Sequence, residues 1–541
     1  SGSVNGVAEG GGIYVEDSYG FFLNNSISAD NSATQVGGGS TANDCDWGAT
    51  SFDESGGHNL IGEPGSCVFT FDPTDQLGVN PGLYDPGDNG CATTLPDGSC
   101  IATILTSDTT IIDQGSCATS GATTDARGQT RPTDLADIVN ADDGCDIGAV
   151  EATILLCPSR IAATADELHQ CITEANENGA GLDTITLGAD IDLTTLIIAS
   201  PLPTITSELR LEGAGYVIDG GNSMRIFNVG TSGDLTLNQT TLQNGNADNG
   251  GAVINEGTVT ILNSTFYGNA ATSFGGGILS NGTLSVTDST FSGNSAGTGG
   301  GIVDNGTLTV TNTTFSENSA TGAGGGIAVT GMTTVSQSTF SGNSSPDAGA
   351  IYLGNGSTLN LAGSIFVAGT SGDNCLTFGN TFNDNGYNLS DDGTCTSGGT
   401  GSATDATLNL GVLADNGGAT LTQLPGAGSD AIGAIPNDTS ISNNGSDWIC
   451  NRTFTDQRGY LRPLNSGDPC TAGAVEAGIP YTVGGSVSGL AAGTSVTLYN
   501  NGGDPLTISD NISFTFSDYV LEGEAYNVSV FAQPTGPNQT C

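Results

Sequence analysis

Between residues 250 and 374 the apolar and polar positions run through one pattern five times. The units open at Gly250, Gly275, Gly299, Gly324 and Gly349, so the spacings are 25, 24, 25 and 25 residues. A fixed period of this length is the mark of a solenoid. Within each unit, short apolar runs alternate with polar residues and are parted by Gly or Asn-Gly, as in NGTLTVTNTTFSEN. Period-two alternation bounded by turn residues predicts strands. Three short strands and three turns per unit make one coil of a parallel β-helix. The fold class expected is therefore all-β: one partial and one complete parallel β-helix, with a small sandwich at the end.

The columns of the repeat say what fills each coil. Phe266, Phe291, Phe315, Phe340 and Phe366 recur at one place. Strands pair at about 4.8 Å, so these rings should stack into an apolar ladder. Asn269, Asn294, Asn318 and Asn343 form a second column. Asn accepts left-handed turn geometry, and its amide can bond to the Asn above and below. The leading glycines supply positive φ at the corners.

Composition changes this picture little, but charge narrows it. The chain holds 57 acidic and 8 basic residues, the bases all Arg, for a net charge of −49. Phosphate binding needs basic groups, so nucleic acid is excluded as a partner. Anionic membrane surfaces are disfavoured for the same reason. No run of 18 apolar residues is present, so no membrane insertion is expected. Ser1 to Gly12 is polar and small, unlike a secretory leader. Self-repulsion on this scale makes salt or divalent cations matter. Ca²⁺ is the one cofactor the sequence leaves open. Asp72 with Asp75, Asp85 with Asp88, Asp142 with Asp143, and Asp391 with Asp392 are the candidate pairs, and none has calcium-loop spacing.

Thirteen cysteines point to an oxidising, extracellular or cell-surface location. The first twelve fall into local couples, none with zinc-site spacing. An internal duplication suggests the pairing. DCDWGATSFDESGGHNLIGEPGSC (44 to 67) matches NCLTFGNTFNDNGYNLSDDGTC (374 to 395). TTDARGQTRPTDLADIVNADDGCDIGAVE (123 to 151) matches FTDQRGYLRPLNSGDPCTAGAVE (454 to 476). The copies argue for Cys45–Cys67, Cys375–Cys395, Cys117–Cys145 and Cys450–Cys470. Cys91–Cys100 then closes an insertion in the first copy, and Cys541 is left over. The repeated DxRGxxRP places Asp125, Arg127 and Arg131 against Asp456, Arg458 and Arg462. Arg forks suit a bound carboxylate. The preferred reading is an internal ion pair that fixes the closing turns.

Together, the GGGI…NGTLTVTNTTF units, LGVLADNGGATLTQLPGAGSDAIGA and DQRGYLRP…GAVE resemble the bacterial choice-of-anchor Q β-helix family. That family overlaps in style with polymorphic outer membrane proteins. The resemblance spans about residues 10 to 151 and 157 to 477. It implies a right-handed β-helix on secreted or surface-anchored bacterial proteins, and no defined activity. Thr471-Ala472-Gly473 departs from Asp146-Ile147-Gly148 of the first copy, so the two ends should seal differently.

A single helix is expected over 164–178. Thr164 and Glu167 form a capping box, and Leu168, Cys171, Ile172 and Ala175 make one stripe. It is similar to the CSLREAI-type start of such proteins, with only part of that pattern kept, and would lie as a lid over the first coil. A Cys157–Cys171 bond would clip it to its lead-in. His169 beside the stripe reads as packing or exposed, not as a ligand.

Three domains follow: the end of a first β-helix (1–152), a complete β-helix about 45 Å long with cap and closing loops (153–478), and part of a bacterial immunoglobulin-like sandwich (479–541). The expectation for the ragged ends is either a window on a longer protein or completion by neighbouring subunits. Self-association is the expected partnership, and a glycan or other surface ligand the alternative. Catalysis is not expected, and no catalytic residue is assigned. A lyase needs a base and a cation, a hydrolase convergent carboxylates. Here there is no Lys, His58 and His169 are far apart in sequence, and the turns hold Ser, Thr, Gly and Asn. Asn263, Asn281, Asn305 and Asn312 head Asn-x-Ser/Thr triplets and are candidate glycosylation acceptors. The expected function is a structural fibre unit, with a surface adhesin or glycan-binding stalk as rival and a polysaccharide lyase or hydrolase behind both.

Overall fold

The computed structural model describes Cys157, residues 160–177, 181–196 and 201–541 (less 378, 446, 537 and 538), and seven short strands between Ile13 and Leu77. The chain forms two compact units, Ser1–Leu155 and Leu156–Cys541. In the first, Ile13–Val15 pairs in parallel with Cys45–Trp47, and Ile27–Ser28, Leu60–Ile61 and Gln76–Leu77 pair in parallel in that order. The expected couples Cys45–Cys67, Cys91–Cys100 and Cys117–Cys145 lie outside the described residues. So do Asp125, Arg127, Arg131 and the six aspartates from Asp72 to Asp143.

The second unit is a parallel β-solenoid. Its coils contribute to sheets of ten, nine and seven parallel strands, and a fourth sheet of four strands lines one corner. The three-strand coil is thus right, with a short extra strand where Asn246–Asn249 and its successors add one. Registers run unbroken along the ten-stranded sheet from Glu208–Glu212 to Thr358–Ala362. Inward positions are apolar and buried: Leu235, Val259, Leu284 and Leu308 in one column, Val253, Ile278, Ile302 and Ile327 in another. Outward positions are Thr, Ser and Asn, as alternation demands.

Both ladders are present. Successive rings from Phe266 to Phe366 stack with centroids 4.6 to 5.0 Å apart and planes within 15°. Asn269 Nδ2 donates to Asn294 Oδ1 at 3.0 Å, and Asn294 to Asn318 and Asn318 to Asn343 at 2.9 Å. Each amide also donates to a carbonyl of the coil before it, as Asn318 does to Phe291 O at 2.9 Å. A buried amide is thereby saturated, which removes the penalty of an unmade hydrogen bond.

The glycine column is corrected at its last member. Gly250, Gly275, Gly299 and Gly324 have φ of 57 to 67°. The next residue in register is Ala348 at φ 113°, not Gly349, because Ile327 pairs with Ile351. The glycines beside them are needed for room: a Cβ on Gly276 would sit 2.3 Å from the Gly300 carbonyl oxygen.

Helix α1 (Ala165–Glu177) carries the expected capping box. Glu167 N donates to Thr164 Oγ1 at 3.2 Å, and Thr164 N to Glu167 Oε2 at 3.1 Å. Leu168, Cys171, Ile172 and Ala175 are buried in the solenoid's own core cluster. The helix packs on strands Ile161–Ala162 and Glu208–Glu212, near the first edge of the ten-stranded sheet. Cys157 and Cys171 are bonded. His169 is half-buried, and burial holds its pKa down against the pull of Asp166.

The C-terminal residues form a two-stranded sheet (Pro480–Ser486 with Ser513–Leu521) and a three-stranded one (Gly503–Ile508, Val496–Asn500, Val528–Ala532), both antiparallel. Val483, Val496, Leu498, Ile508, Phe516 and Val520 are their core.

The ladders predict distinct costs. Phe315→Ala should lower unfolding stability by about 3–5 kcal/mol. Asn318→Ala should cost about 1–3 kcal/mol by stranding its partners. Outward Thr309→Ala should stay within about 0.5 kcal/mol. Urea unfolding of the three variants checks the order.

Candidate functional site

After the last coil, residues 404–478 do not cover the end of the solenoid alone. They double back over the outer face of the nine-stranded sheet. Thr290 Oγ1 donates to Leu421 O at 2.7 Å, and Thr314 Oγ1 to Gln457 Oε1 at 2.6 Å. Ala474 N donates to Thr339 Oγ1 at 3.0 Å, and Asn443 Nδ2 to Val335 O at 3.0 Å. The outward threonines Thr290, Thr314 and Thr339 are consequently buried, while Tyr267, one coil earlier, is 53% exposed. Gln457 is the central peg: its Nε2 donates to Ser289 O, Thr290 Oγ1 and Thr420 Oγ1 at 2.9 to 3.0 Å.

A buried ionic lock holds this cover. Asp456 Oδ2 takes Arg458 Nε at 3.0 Å and Nη2 at 2.7 Å, and both side chains are fully enclosed. Asp456 Oδ1 takes the backbone N–H groups of Arg458 and Tyr460 at 2.9 and 3.1 Å. Arg458 also donates to Glu476 O and Gly478 O, each at 2.8 Å. The expected internal pair is thus the arrangement of the second copy. Arg462 differs: its ionic partner is Glu476, at 3.5 Å, and it donates to Thr471 O and Gly473 O. Glu476 was not singled out, although it closes the repeated GAVE. Cys450–Cys470 is bonded behind the lock, and Cys375–Cys395 ties the last strand of the seven-stranded sheet. Cys541 is free and exposed.

Three carboxyls, two buried and one partly so, were also missed. Burial pushes Glu476 up to about 7, opposed by Arg462. Burial pushes Asp288 up to about 6, although Asn312 donates to it. Asp304 points into the core, where burial raises it to about 6 and Gly306 N and Thr333 Oγ1 donate to it at 3.1 Å. Only register shows that Asp304 replaces an inward Asn or Ser of earlier coils and meets Thr333 where other coils have Leu.

The calcium candidates Asp391 and Asp392 face protein donors. Asp391 takes Ala368 N and Asn374 Nδ2; Asp392 takes Asn374 N at 2.7 Å and the Thr394 amide and hydroxyl. Burial works to raise Asp392, but these donors hold it below the usual carboxylate range. Among the described residues no three His, Cys, Asp or Glu side chains are grouped to hold a metal. No helix there is long and apolar enough to cross a membrane. Asn312 is corrected as a glycosylation candidate: it is buried and donates to Thr455 O at 2.9 Å.

A family model described as a right handed beta helix region matches residues 216–366. No curated protein and no solved structure matches the chain. The matched stretch is the ladder region: the structure shows a parallel β-solenoid there, and the matching family model describes a right-handed one.

Two outcomes follow from the lock and the buried acids. Arg458→Ala leaves Asp456 enclosed without its cation and should cost about 3–5 kcal/mol in a denaturant titration. For Glu476, Asp288 and Asp304 the folded pKa lies above the unfolded value. The stability they contribute is complete below about pH 4 and lost as pH rises through about 6 to 7. The melting temperature should therefore be higher near pH 5 than near pH 8, and Asp304→Asn should flatten that slope; an unchanged slope in the variant would remove Asp304 from the account.

Proposed function

We propose that this protein is a non-catalytic structural protein of a bacterial cell surface or extracellular matrix, a unit of an extended fibre or filament. The β-helix fold also serves lyases and hydrolases, so the reading rests on side chains. The observation that carries it is the commitment of the cations. With no Lys in the chain, Arg is the only strong base, and each of the six described arginines is engaged by protein. Arg160 pairs with Asp183, Arg210 with Glu212 and Arg452 with Asp518. Arg225 donates to the carbonyls of Asn249 and Gly250, Arg458 pairs with Asp456 in the lock, and Arg462 pairs with Glu476. A polysaccharide lyase needs such groups turned to substrate.

What the chain does present is stiffness. Coil-to-coil ladders, a pinned cover and the three disulfides among the described residues resist bending and unfolding. The disulfides favour an oxidising, extracytoplasmic setting. The resemblance to choice-of-anchor Q and polymorphic outer membrane proteins supports the bacterial surface, with α1 as a lid on the first coil and the C-terminal sheets as part of an immunoglobulin-like repeat. Those sheets are braced on the cover: Arg452 reaches Asp518, Tyr519 N donates to Asn465 Oδ1 at 2.9 Å, and Tyr460 meets the Tyr519 ring edge-on at 5.7 Å. A braced joint passes load between modules better than a free linker. A stalk that binds a surface ligand is the second reading, favoured by the exposed rings of Tyr267 and Phe274 on neighbouring strands of one coil.

Negative-stain electron microscopy of the purified protein, with and without chelator, tests the proposal. Regular filaments are expected. Separate rods at every concentration would overturn the fibre and leave the stalk. Filaments that dissolve in chelator would place a cation at the joints.

A further inference from the structure

The cover grips the ten-stranded sheet at Ser336 and Thr334, through Asn443 and Asn444. The three coils before that grip keep their outward side chains exposed or half-buried. Strands Thr258–Leu262, Thr283–Thr287 and Thr307–Thr311 pair there in parallel and in unbroken register. Their outward positions read Thr-Thr-Leu, Thr-Ser-Thr and Thr-Thr-Thr, a block of three rows and three columns. The inward residues between them, such as Val259, Leu284 and Leu308, are enclosed, so the block is backed by packed core. Among the described residues, no protein group bonds to any of its eight hydroxyls. The contrast is with Thr290, Thr314 and Thr339 of the nine-stranded sheet, whose hydroxyls the cover satisfies.

Outward threonine is common in strands. Two further features set this block apart. The first is what it leaves out. The chain carries 57 acidic residues, and none of them, nor any Arg, stands in the block. Solvated faces of so acidic a chain ordinarily carry charge, which keeps them wet and apart. The second is spacing. Ring centroids in the same coils lie 4.6 to 5.0 Å apart, so hydroxyls in one column repeat at that distance. Alternate residues along a strand repeat at about 6.6 Å. Threonine is stiff at χ1, so the array is held rather than averaged. Both repeats are close to those of the water lattice on a prism face of ice. Each hydroxyl can hold one ordered water, and the methyls beside it leave that water few other partners. A crystalline polysaccharide would call for aromatic rings to stack on, and the block has none.

We propose that this face of the ten-stranded sheet binds ice, its hydroxyls holding a first layer of water that joins the crystal. A surface rod of the proposed kind would thereby fasten to an ice crystal or check its growth. The property goes beyond the structural role and does not depend on filament formation. The cover supports it indirectly: by closing the threonines of the nine-stranded sheet, it leaves one flat array free.

Ice affinity tests this with the whole chain. Ice is grown slowly on a chilled probe in a dilute solution, and protein is measured in the ice and in the remaining liquid. Growing ice excludes ordinary solutes, so an unrelated acidic protein sets the baseline. The chain is expected to be enriched in the ice. Ser285→Lys puts a long charged side chain at the centre of the block, and Thr309→Lys does so one coil on. Both positions face outward, so stability should change by no more than about 0.5 kcal/mol. Circular dichroism melting confirms that each variant is folded. Either variant should lose the enrichment. Thr272→Lys adds the same charge on the exposed four-stranded sheet, outside the block, and should keep it. Exclusion of the unaltered chain from ice would overturn the proposal. So would undiminished uptake of folded Ser285→Lys and Thr309→Lys, or an equal loss in Thr272→Lys, which would trace the effect to charge alone.

Discussion

The spacing between coils governs everything else in this molecule. Parallel strands must hydrogen-bond at one separation, so every side chain lies above its equivalent at the same distance, and ring centroids 4.6 to 5.0 Å apart are the direct trace of it. At that distance flat rings stack and amides bridge. Branched apolar side chains stack on their like as well, whereas a charged one meets its own charge. The repeat is therefore conservative where side chains point inward and in its turns, since a misfit at one coil is felt by the two beside it. Only small residues pass where coil corners nearly touch, as at Gly276.

A solenoid built this way has a long flank of outward threonines, and one face of it here serves as a second interior. The cover of residues 404–478 buries Thr290, Thr314 and Thr339 by giving each hydroxyl a partner, and beside them it packs Ala431, Ile435, Trp448 and Ala472 with Ile365 and Leu389. Burying polar groups is tolerable only when they are paired. The cover meets this with Gln457 and with backbone carbonyls and amides, then closes on an Asp456–Arg458 pair that water does not reach. The lock is costly to break, which is a statement about specificity of closure more than about net stability.

Charge is distributed to suit. Fifty-seven acids would strain a compact body, and solvent and ions screen those at its surface. Those carried inward are of two kinds: Asp456 is paired with Arg458, while burial raises the pKa of Glu476 near the lock, Asp304 inside the coil and the partly buried Asp288 beside Asn312. Arginine, scarce in the chain, is spent on the interior carboxylates of Asp456 and Glu476, on backbone carbonyls, and on exposed or half-exposed pairs with Asp183, Glu212 and Asp518.

The coil and its contents were legible in the residues themselves. A 24- to 25-residue period, a Phe column and an Asn column determine a β-helix because one strand spacing makes sequence periodicity and spatial stacking the same thing. The capping box determined α1, and the two Asp-x-Arg copies pointed to the pair at Asp456, since both are local relations of a few residues. What sequence could not decide was which outward face would be covered. Thr265 and Thr290 are the same residue in the same column, and only the returning segment makes one half-buried and the other enclosed. The Arg462–Glu476 pair and the core position of Asp304 against Thr333 belong to the same class. Each depends on contacts between segments far apart in the chain, and no periodicity encodes where a non-repeating segment will fold back upon a repeating one.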